Sequence, residues 1–296
     1  MRATPFVLMF WLVLCGCGSQ STSTMTSSPA AVQHGKIIVG GYARTYRLFR
    51  PPSLEPKHAA PLVILLHACG GTGDQFAAMT KFDEEASSGG FVAAYPDGPS
   101  GSCWNEFLDP TLPDDFSFLG QLLNRLAKEL PIDKNRIFVT GLQSGGHMAY
   151  TLACAMPDRI AGIASVSGGM PLDSRKASMR CPDVSQSKPV SVMEMHGTAD
   201  DFLPYEGGGP LQAPTTITLL NYWATIDGCS GDPVETHNGI TTTSLWRQCK
   251  GATVVRLDTV SGGHNTWFGS GANAVAGEPN ATAVVWDFFK ALSPTA

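Results

Sequence analysis

The stretch from Arg136 to Met148 has the residue types of a strand, a tight turn and a helix, with a potential catalytic position in the turn. An apolar, β-branched run leads to Gly141, and Gly145 follows four residues later. In a Gly-x-Ser-x-Gly turn, the central serine occupies a strained position from which it attacks a carbonyl carbon, and glycines flank it because side chains there would clash. Here the central residue is Gln143, which carries no ionisable nucleophile. The turn therefore predicts the geometry for acyl transfer without the attacking oxygen.

Ser144 is the alternative nucleophile in this turn. Attack from Ser144 would turn the attacking side chain away from a base and would put Leu142 where a small residue is needed. The simpler expectation is that Ser144 begins the following helix in a capping role, with His147 on the surface of that helix. Gln143 would then face the base, and an amide there can accept a hydrogen bond or occlude the pocket.

Two later segments carry the residue types that would assist a nucleophile. One contains Asp200 and Asp201, of which Asp200 fits the motif position better, and the other contains His264. Acyl transfer needs a base for the proton of the nucleophile, a carboxylate that orients the base, and backbone N–H groups for the oxyanion. The chain order of nucleophile position, acid and histidine is that of α/β-hydrolases. His67 and His196 end apolar runs and are expected to be structural hydrogen-bonding groups.

Apolar runs that alternate with helical patterns predict the elements that position these residues. Pro61 to His67 and Phe91 to Tyr95 are continuous apolar runs, as in strands buried on both faces. From Phe116 to Leu130 the apolar residues recur with the helical period. The alternation predicts one α/β domain over residues 35–294 with the α/β-hydrolase fold, a mostly parallel sheet with helices on both faces. Further strands are expected at residues 36–39, 44–49, 137–140, 160–166, 190–195 and 254–257, and further helices at residues 75–87, from the turn to residue 156, 217–226 and 281–292.

The N-terminal segment indicates export. A basic start and the apolar run Phe6 to Leu14, which is too short to span a bilayer, are typical of a signal peptide. Small residues before Cys17 resemble a bacterial lipobox with Cys17 as the lipidated residue; Cys15 fits less well, and an ordinary signal peptide with incidental cysteines is the alternative. Residues 1–17 are therefore the predicted leader, and residues 18–34 a flexible Ser/Thr-rich tether. We expect a secreted or cell-envelope protein that meets a membrane only through its lipid anchor.

The cysteine pattern and the net charge limit which other classes of function are expected. Eight cysteines minus Cys15 and Cys17 leave an even number, as expected for disulfides in an exported chain. Among the 15 possible pairings, the simplest is sequential. No CxxC pair or close Cys/His cluster occurs, so neither a metal nor another cofactor is expected. With a net charge of −5 and scattered basic residues, no nucleic-acid partner is indicated. The sequential pairs are Cys69–Cys103, Cys154–Cys181 and Cys229–Cys249.

Short motifs in a fixed order then connect these segments with a known family. From about residue 35 to residue 290 the chain resembles secreted esterases that are grouped with polyhydroxybutyrate depolymerases, feruloyl esterases and related bacterial lipoproteins. Each motif is weak alone, whereas the ordered set is specific. The matching pieces are Leu66-His67-Ala68-Cys69, Tyr95-Pro96-Asp97-Gly98, Trp104-Asn105, Val139-Thr140-Gly141-Leu142, Gly145-Gly146-His147-Met148-Ala149-Tyr150, Leu152-Ala153-Cys154, His196-Gly197-Thr198-Ala199-Asp200, Pro204-Tyr205 and Gly262-Gly263-His264.

The resemblance implies a role for each matching residue and also favours the sequential disulfides. It further implies an exported carboxylic-ester hydrolase that acts on esters of plant polysaccharide or polyester through an acyl-enzyme. The implied roles are triad acid for Asp200, base for His264, oxyanion N–H groups for Cys69 and Ser144, and substrate groove for Trp104 and Trp267.

The sequence departs from the family pattern at three places. Gln143 takes the nucleophile position, Ala68 stands where the family usually has glycine, and His264 is followed by Asn265-Thr266-Trp267 where the family tends to have Thr-Trp-Pro-Gly. Gln143 removes the group that the covalent route requires. The alternative function is therefore a non-catalytic lipoprotein, derived from an esterase, that binds polysaccharide or an aromatic acyl group.

Overall fold

The computed structural model describes residue 1 and residues 31–55, 57–99, 102–170, 188–209, 211–270 and 274–292. Ten strands in this part of the chain form one sheet. In chain order they are β1 (Ala31–Val39), β2 (Tyr42–Arg50), β3 (Ala60–Leu66), β4 (Val92–Pro96), β5 (Ile132–Leu142), β6 (Gly162–Val166), β7 (Ser191–Gly197), β8 (Val234–Asn238), β9 (Thr241–Trp246) and β10 (Val255–Val260).

The order of strands across the sheet is β1-β2-β4-β3-β5-β6-β7-β10-β9-β8. The six central strands from β4 to β10 pair in parallel, and the two outer strands on each side pair antiparallel. This arrangement confirms the predicted mostly parallel sheet. Parallel pairing brings the carboxyl ends of the central strands to one edge, where ligands bind in open α/β sheets.

Helices cover both faces of the sheet. Val63 and Leu65 pack into the apolar cluster under α1, α2 and α6, while Leu62 and Ile64 pack into the cluster under α3, α4 and α5. The alternation along β3 explains why the strand is apolar throughout, since both of its faces are buried. The helices are α1 (Gly73–Thr80), α2 (Phe82–Gly89), α3 (Asp115–Glu129), α4 (Ser144–Ala155), α5 (Thr216–Ile226) and α6 (Ala281–Ala291).

Every predicted strand and helix has a counterpart in the structure with bounds that differ by a few residues, and two of the differences change the interpretation. β1 begins at Ala31 and pairs with β2 along its whole length, so the prediction that the tether extends to residue 34 is wrong for its last four residues. The helix predicted over residues 75–87 is two helices, because Lys81 has a left-handed backbone with φ of 54°.

The antiparallel hairpin β8–β9 was not predicted. Its strands are short, and β8 is exposed along its whole length at the sheet edge, so it lacks the apolar pattern of a buried strand. Gly239 and Ile240 connect the two strands directly after Asn238, and Gly239 has φ of 60°. An Asn-Gly pair next to a Thr-rich run is the local signal that could have revealed the hairpin.

The leader, its lipidation site Cys17 and the tether up to residue 30 lie outside the described residues. Among the helices that the structure describes, none combines the length and the apolar character needed to cross a bilayer. The two described disulfides join Cys69 to Cys103 and Cys229 to Cys249, as predicted. The third predicted pair includes Cys181, which also lies outside the described residues.

Candidate functional site

The turn between β5 and α4 has the strained backbone that its sequence predicts. Gln143 has φ of 53° and ψ of −117°, and its N–H donates to the carbonyl of Val166 at 3.0 Å. A Cβ on Gly141 would lie 2.4 Å from the backbone of Gly145, and one on Gly145 would lie 2.1 Å from the carbonyl oxygen of Leu66. Only glycine fits at either position, so the turn holds Gln143 at its half-buried apex, where a nucleophile would stand.

The side chain of Gln143 hydrogen-bonds to Asn265, in the loop after β10. Asn265 in turn donates from its amide nitrogen to both carboxylate oxygens of Asp200, at 3.0 and 3.1 Å. Asp200 lies in the loop after β7, so three strand ends supply one residue each. The three side chains form a chain in the order expected for nucleophile, base and acid.

Hydrogen-bond logic fixes the direction of this chain. A carboxylate only accepts, so the NH2 group of Asn265 must face Asp200 and its carbonyl oxygen must face Gln143. Gln143 therefore donates with its own NH2 group. Neither amide titrates near neutral pH, and neither can take a proton from a nucleophile. The hydrogen-bonded series Gln143–Asn265–Asp200 keeps the connectivity of a catalytic triad and lacks its nucleophile and its base.

The prediction that His264 is the base is wrong, since it is Asn265 that contacts Asp200. His264 is exposed, and no hydrogen bond joins it to Gln143, Ser144 or Asp200 among the described residues. The signal that could have found Asn265 is its position directly before Thr266-Trp267, where the resemblance expects histidine.

Backbone contacts explain why the loop after β10 presents Asn265. The carbonyl of Gly263 accepts from the N–H of Ala199 at 2.9 Å, and the N–H of Gly262 donates to the hydroxyl of Thr198 at 2.8 Å. A Cβ on Gly197 would lie 2.1 Å from the Gly263 oxygen, so the two loops are in direct backbone contact. This contact fixes the register that puts residue 265 beside the carboxylate.

Asp200 is buried, whereas the alternative acid Asp201 is exposed. The Asp200 carboxylate accepts from the N–H groups of Phe202 and Leu203 at 2.9 and 2.8 Å. It also lies 3.3 Å from Nε2 of His196. The structure therefore supports the choice of Asp200 over Asp201 as the acid of the chain.

His196 lies between two buried carboxylates. Its Nδ1 is 3.1 Å from Glu194, and its Nε2 is 2.9 Å from the carbonyl of Leu203 as well as close to Asp200. Glu194 also accepts from the hydroxyl of Tyr150 at 3.0 Å. This network satisfies its polar groups internally, as a buried ionic cluster requires.

The charges in this network determine the pKa values. Burial alone would lower the pKa of His196, but hydrogen bonds to Asp200 and Glu194 outweigh burial and raise the pKa to about 10. Burial alone would raise the pKa of Asp200, but hydrogen bonds from His196, Asn265 and the Leu203 N–H lower it below its usual value. At neutral pH the site therefore holds an imidazolium beside an ionised carboxylate.

Ser144 is the first residue of α4, as predicted, but its hydroxyl does not cap the helix. The Ser144 oxygen accepts from the N–H of Trp104 at 2.9 Å, and the hydroxyl is directed at Glu106, 3.4 Å away. Neither partner belongs to the Gln143–Asn265 chain. The backbone N–H groups of Ser144 and Cys69 have no acceptor among the described residues, as groups that await an oxyanion or a carbonyl would.

The loops after β3 and β4 are tied together beside this turn. The disulfide joins Cys69 to Cys103, and His67 accepts from the N–H of Gly98 at 2.8 Å while its Nδ1 bonds to the carbonyl of Ala68 at 2.7 Å. Burial lowers the pKa of His67. His67 is therefore a neutral structural group, as predicted.

The two tryptophans that the resemblance assigns to a substrate groove separate in the structure. Trp104 lines a cavity beside Ser144, and its indole N–H donates to the carbonyl of His67 at 2.8 Å. Trp267 is buried in the core, where its indole donates to Thr282 and its ring packs edge-on against Phe76. The groove role predicted for Trp267 is therefore wrong.

Comparisons with known proteins find similarity to esterases. A profile of the phospholipase/carboxylesterase family matches residues 110–222. Feruloyl esterase B of Piromyces equi is 26% identical over 223 residues, which are 72% of this chain and 41% of that protein. Feruloyl esterase C of Emericella nidulans is 26% identical over 286 residues, which are 93% of this chain and 90% of that protein.

The acetyl xylan esterase from Aspergillus awamori has the same fold, with a TM-score of 0.65, 16% identity, and coverage of 87% of this chain and 99% of that one. The chain spans less than half of the Piromyces protein but nine-tenths of the Emericella protein. The predicted α/β-hydrolase fold is confirmed, and the curated relatives that the chain resembles carry the names of feruloyl esterases.

We predict that the imidazolium of His196 stabilises the fold in a pH-dependent way. Because its pKa rises from 6.5 to about 10 in the folded state, its contribution is complete below pH 6.5 and is lost as the pH rises through 10. His196→Asn should lower the free energy of unfolding by about 3–5 kcal/mol near pH 6, and the difference from wild type should shrink towards pH 10. Chemical denaturation across this pH range measures the difference, with His237→Asn on the exposed strand β8 as control. A difference that stays constant with pH would contradict the assignment.

Proposed function

We propose that this chain is an exported, esterase-derived protein that binds acylated polysaccharide without cleaving it through an acyl-enzyme. The observation that carries the proposal is the chain Gln143–Asn265–Asp200, in which amides replace both the nucleophile and the base. In subtilisin, loss of the nucleophile or of the base alone costs about 10⁶-fold in turnover. With both groups replaced, covalent hydrolysis at this position has no chemical basis.

The parts of the site that bind rather than react are retained. The free N–H groups of Cys69 and Ser144 provide donors for an ester carbonyl, and the cavity beside them has room for an acyl group. Feruloyl and acetyl xylan esterases among the similar proteins favour a polysaccharide over a polyester as the carrier of that group. The ligand is therefore an acylated plant polysaccharide.

Export and anchoring belong to the same proposal. The described disulfides at Cys69–Cys103 and Cys229–Cys249 suit an oxidising compartment. Cys17 would carry the lipid, and the Ser/Thr-rich segment after it would hold the domain away from the membrane. A binding protein on such a tether would keep polysaccharide at the cell surface.

Ester hydrolysis through Ser144 is the second candidate function, because the Ser144 hydroxyl faces the carboxylate of Glu106. Two contacts oppose it. The Ser144 oxygen already accepts the N–H of Trp104, and it lies outside the chain that begins at Gln143. The hydrogen bond that the Ser144 oxygen receives from Trp104 makes it a weaker nucleophile, so the binding function is the better supported of the two.

The binding function predicts selective retention of acylated polymer. Wild-type protein should be retarded in affinity electrophoresis by feruloylated and acetylated arabinoxylan, and the retardation should disappear after the same polymer is deacylated with alkali. No acetate or ferulate should be released during the run. Equal retardation by deacylated polymer would mean that the acyl group is not recognised, and no retardation by either polymer would remove the binding function.

Restoring the nucleophile and the base should restore ester hydrolysis. The double variant Gln143→Ser, Asn265→His should hydrolyse p-nitrophenyl acetate at least about 10²-fold faster than wild type, because nucleophile and base act as a unit. Each single variant should stay near the wild-type rate for the same reason. Wild type that equals the double variant would contradict the interpretation of residues 143 and 265.

A further inference from the structure

β8 ends the sheet, with β9 as its one neighbour among the described strands, and all five of its residues are exposed. Such an edge leaves backbone N–H and C=O groups free to pair with another strand. Proteins usually protect an edge with lysine, proline, a bulge or a covering element. β8 contains neither lysine nor proline, and its register with β9 has no bulge, whereas the opposite edge strand β1 carries Lys36. β8 is therefore the edge that is open to a partner strand.

The hairpin turn determines which backbone groups of β8 point away from β9. In an antiparallel pair, residues directly opposite each other alternate between hydrogen-bonded and non-hydrogen-bonded pairs. Asn238 and Thr241 close a two-residue turn as a hydrogen-bonded pair, so Thr236, two residues earlier, also bonds towards β9. Glu235 and His237 therefore direct their N–H and C=O groups outwards, to the side where a further strand would lie.

The side chains of Glu235 and His237 carry complementary groups on one face of the strand, because residues two apart share a face. The hydroxyl of Ser244 donates to the Glu235 carboxylate at 3.2 Å, and Nδ1 of His237 lies 3.0 Å from the hydroxyl of Thr242. When Nδ1 accepts from Thr242, Nε2 carries the ring proton and can donate to a carboxylate. The edge thus presents an acceptor and a donor on either side of Thr236.

We propose that β8 pairs antiparallel with β8 of a second copy of this chain, about a two-fold axis at Thr236. In this register, Glu235 of each copy lies directly opposite His237 of the other, and their outward backbone groups form about four hydrogen bonds. A shift by two residues would place Glu235 opposite Glu235, or His237 opposite His237. The order Glu-Thr-His therefore makes the strand complementary to itself in one register, and a two-fold contact of this kind closes as a dimer.

The dimer goes beyond the proposed binding function and does not depend on it. Pairing would cover part of Val234, which is 61% exposed in the single chain. A five-residue strand covers a smaller area than the roughly 1,200 Å² that specific, stable interfaces bury. The association is therefore weak. Dilute chains remain monomers, and chains that are held close together on one surface or one polymer pair.

A cysteine at the two-fold axis tests the register. Thr236 would lie opposite its own copy as a non-hydrogen-bonded pair, with Cα atoms about 4.5 Å apart, which is within the range of a disulfide. Thr236→Cys should therefore give a disulfide-linked dimer on a non-reducing gel after mild oxidation of concentrated protein. Val234→Cys is the matched control, since it is equally exposed on the same strand but its two copies would lie about 14 Å apart. Wild type measures the background from the native cysteines.

Both outcomes of this comparison are decisive, because the substituted side chains are exposed and the fold does not depend on them. Dimer from Thr236→Cys well above the level from Val234→Cys would support the two-fold register. Equal yields from the two variants would indicate random encounters and would contradict the register. No dimer from Thr236→Cys above the wild-type background would overturn the proposal.

A charge exchange tests the Glu235–His237 pairs without cysteines. His237→Glu places like charges opposite each other in two symmetric pairs and should weaken dimerisation about tenfold in a sedimentation velocity concentration series. The double variant Glu235→Lys, His237→Glu restores opposite charges in the same register and should recover the dimer. Dimerisation that His237→Glu leaves unchanged, or that the double variant fails to recover, would contradict the pairing of these side chains.

Discussion

Asp200 is a buried carboxylate that accepts from donors on several sides, and the rest of the site is built around it. The N–H groups of Phe202 and Leu203 hold it from its own loop, His196 contacts it from the strand end, and Asn265 contacts it from the neighbouring loop. In a catalytic triad the acid stabilises the imidazolium that forms on the base during reaction. Here a lasting imidazolium belongs to His196, on the side away from the apex of the turn.

This distribution of charge explains how an amide can occupy the position of the base. The carboxylate is balanced by His196, so it needs only a neutral donor from the other side, and the NH2 group of Asn265 supplies one. The side-chain carbonyl of Asn265 then faces the turn, where it requires a hydrogen-bond donor. Gln143 provides that donor. The two substitutions are therefore coupled, and the strained turn presents an amide that holds a neighbour rather than an oxygen that attacks a substrate.

How far the sequence predicts this site depends on the range of the forces that fix each part. The turn was predictable because steric exclusion at Gly141 and Gly145 is local and appears as residue type. The residue that contacts Asp200 was not predictable. A shift of one position in the loop after β10 decides whether His264 or Asn265 reaches the carboxylate. That register is set by backbone contact with the loop after β7, a tertiary contact, and the only local signal of it is the position of Asn265 directly before Thr266-Trp267. The expectation that His147 lies on the helix surface is wrong, since His147 is buried, and its burial likewise depends on the loop after β4, which covers α4.

The central claim is that the apex of the turn holds no nucleophile and that Ser144 does not replace it. Fluorophosphonate labelling of the wild-type protein, followed by peptide mapping, tests this claim most directly because the reagent marks an activated serine wherever it lies. We predict no adduct on any residue of the wild type under conditions that label an active serine hydrolase. An adduct on Ser144 would show that the hydroxyl beside Glu106 is activated and would contradict the account.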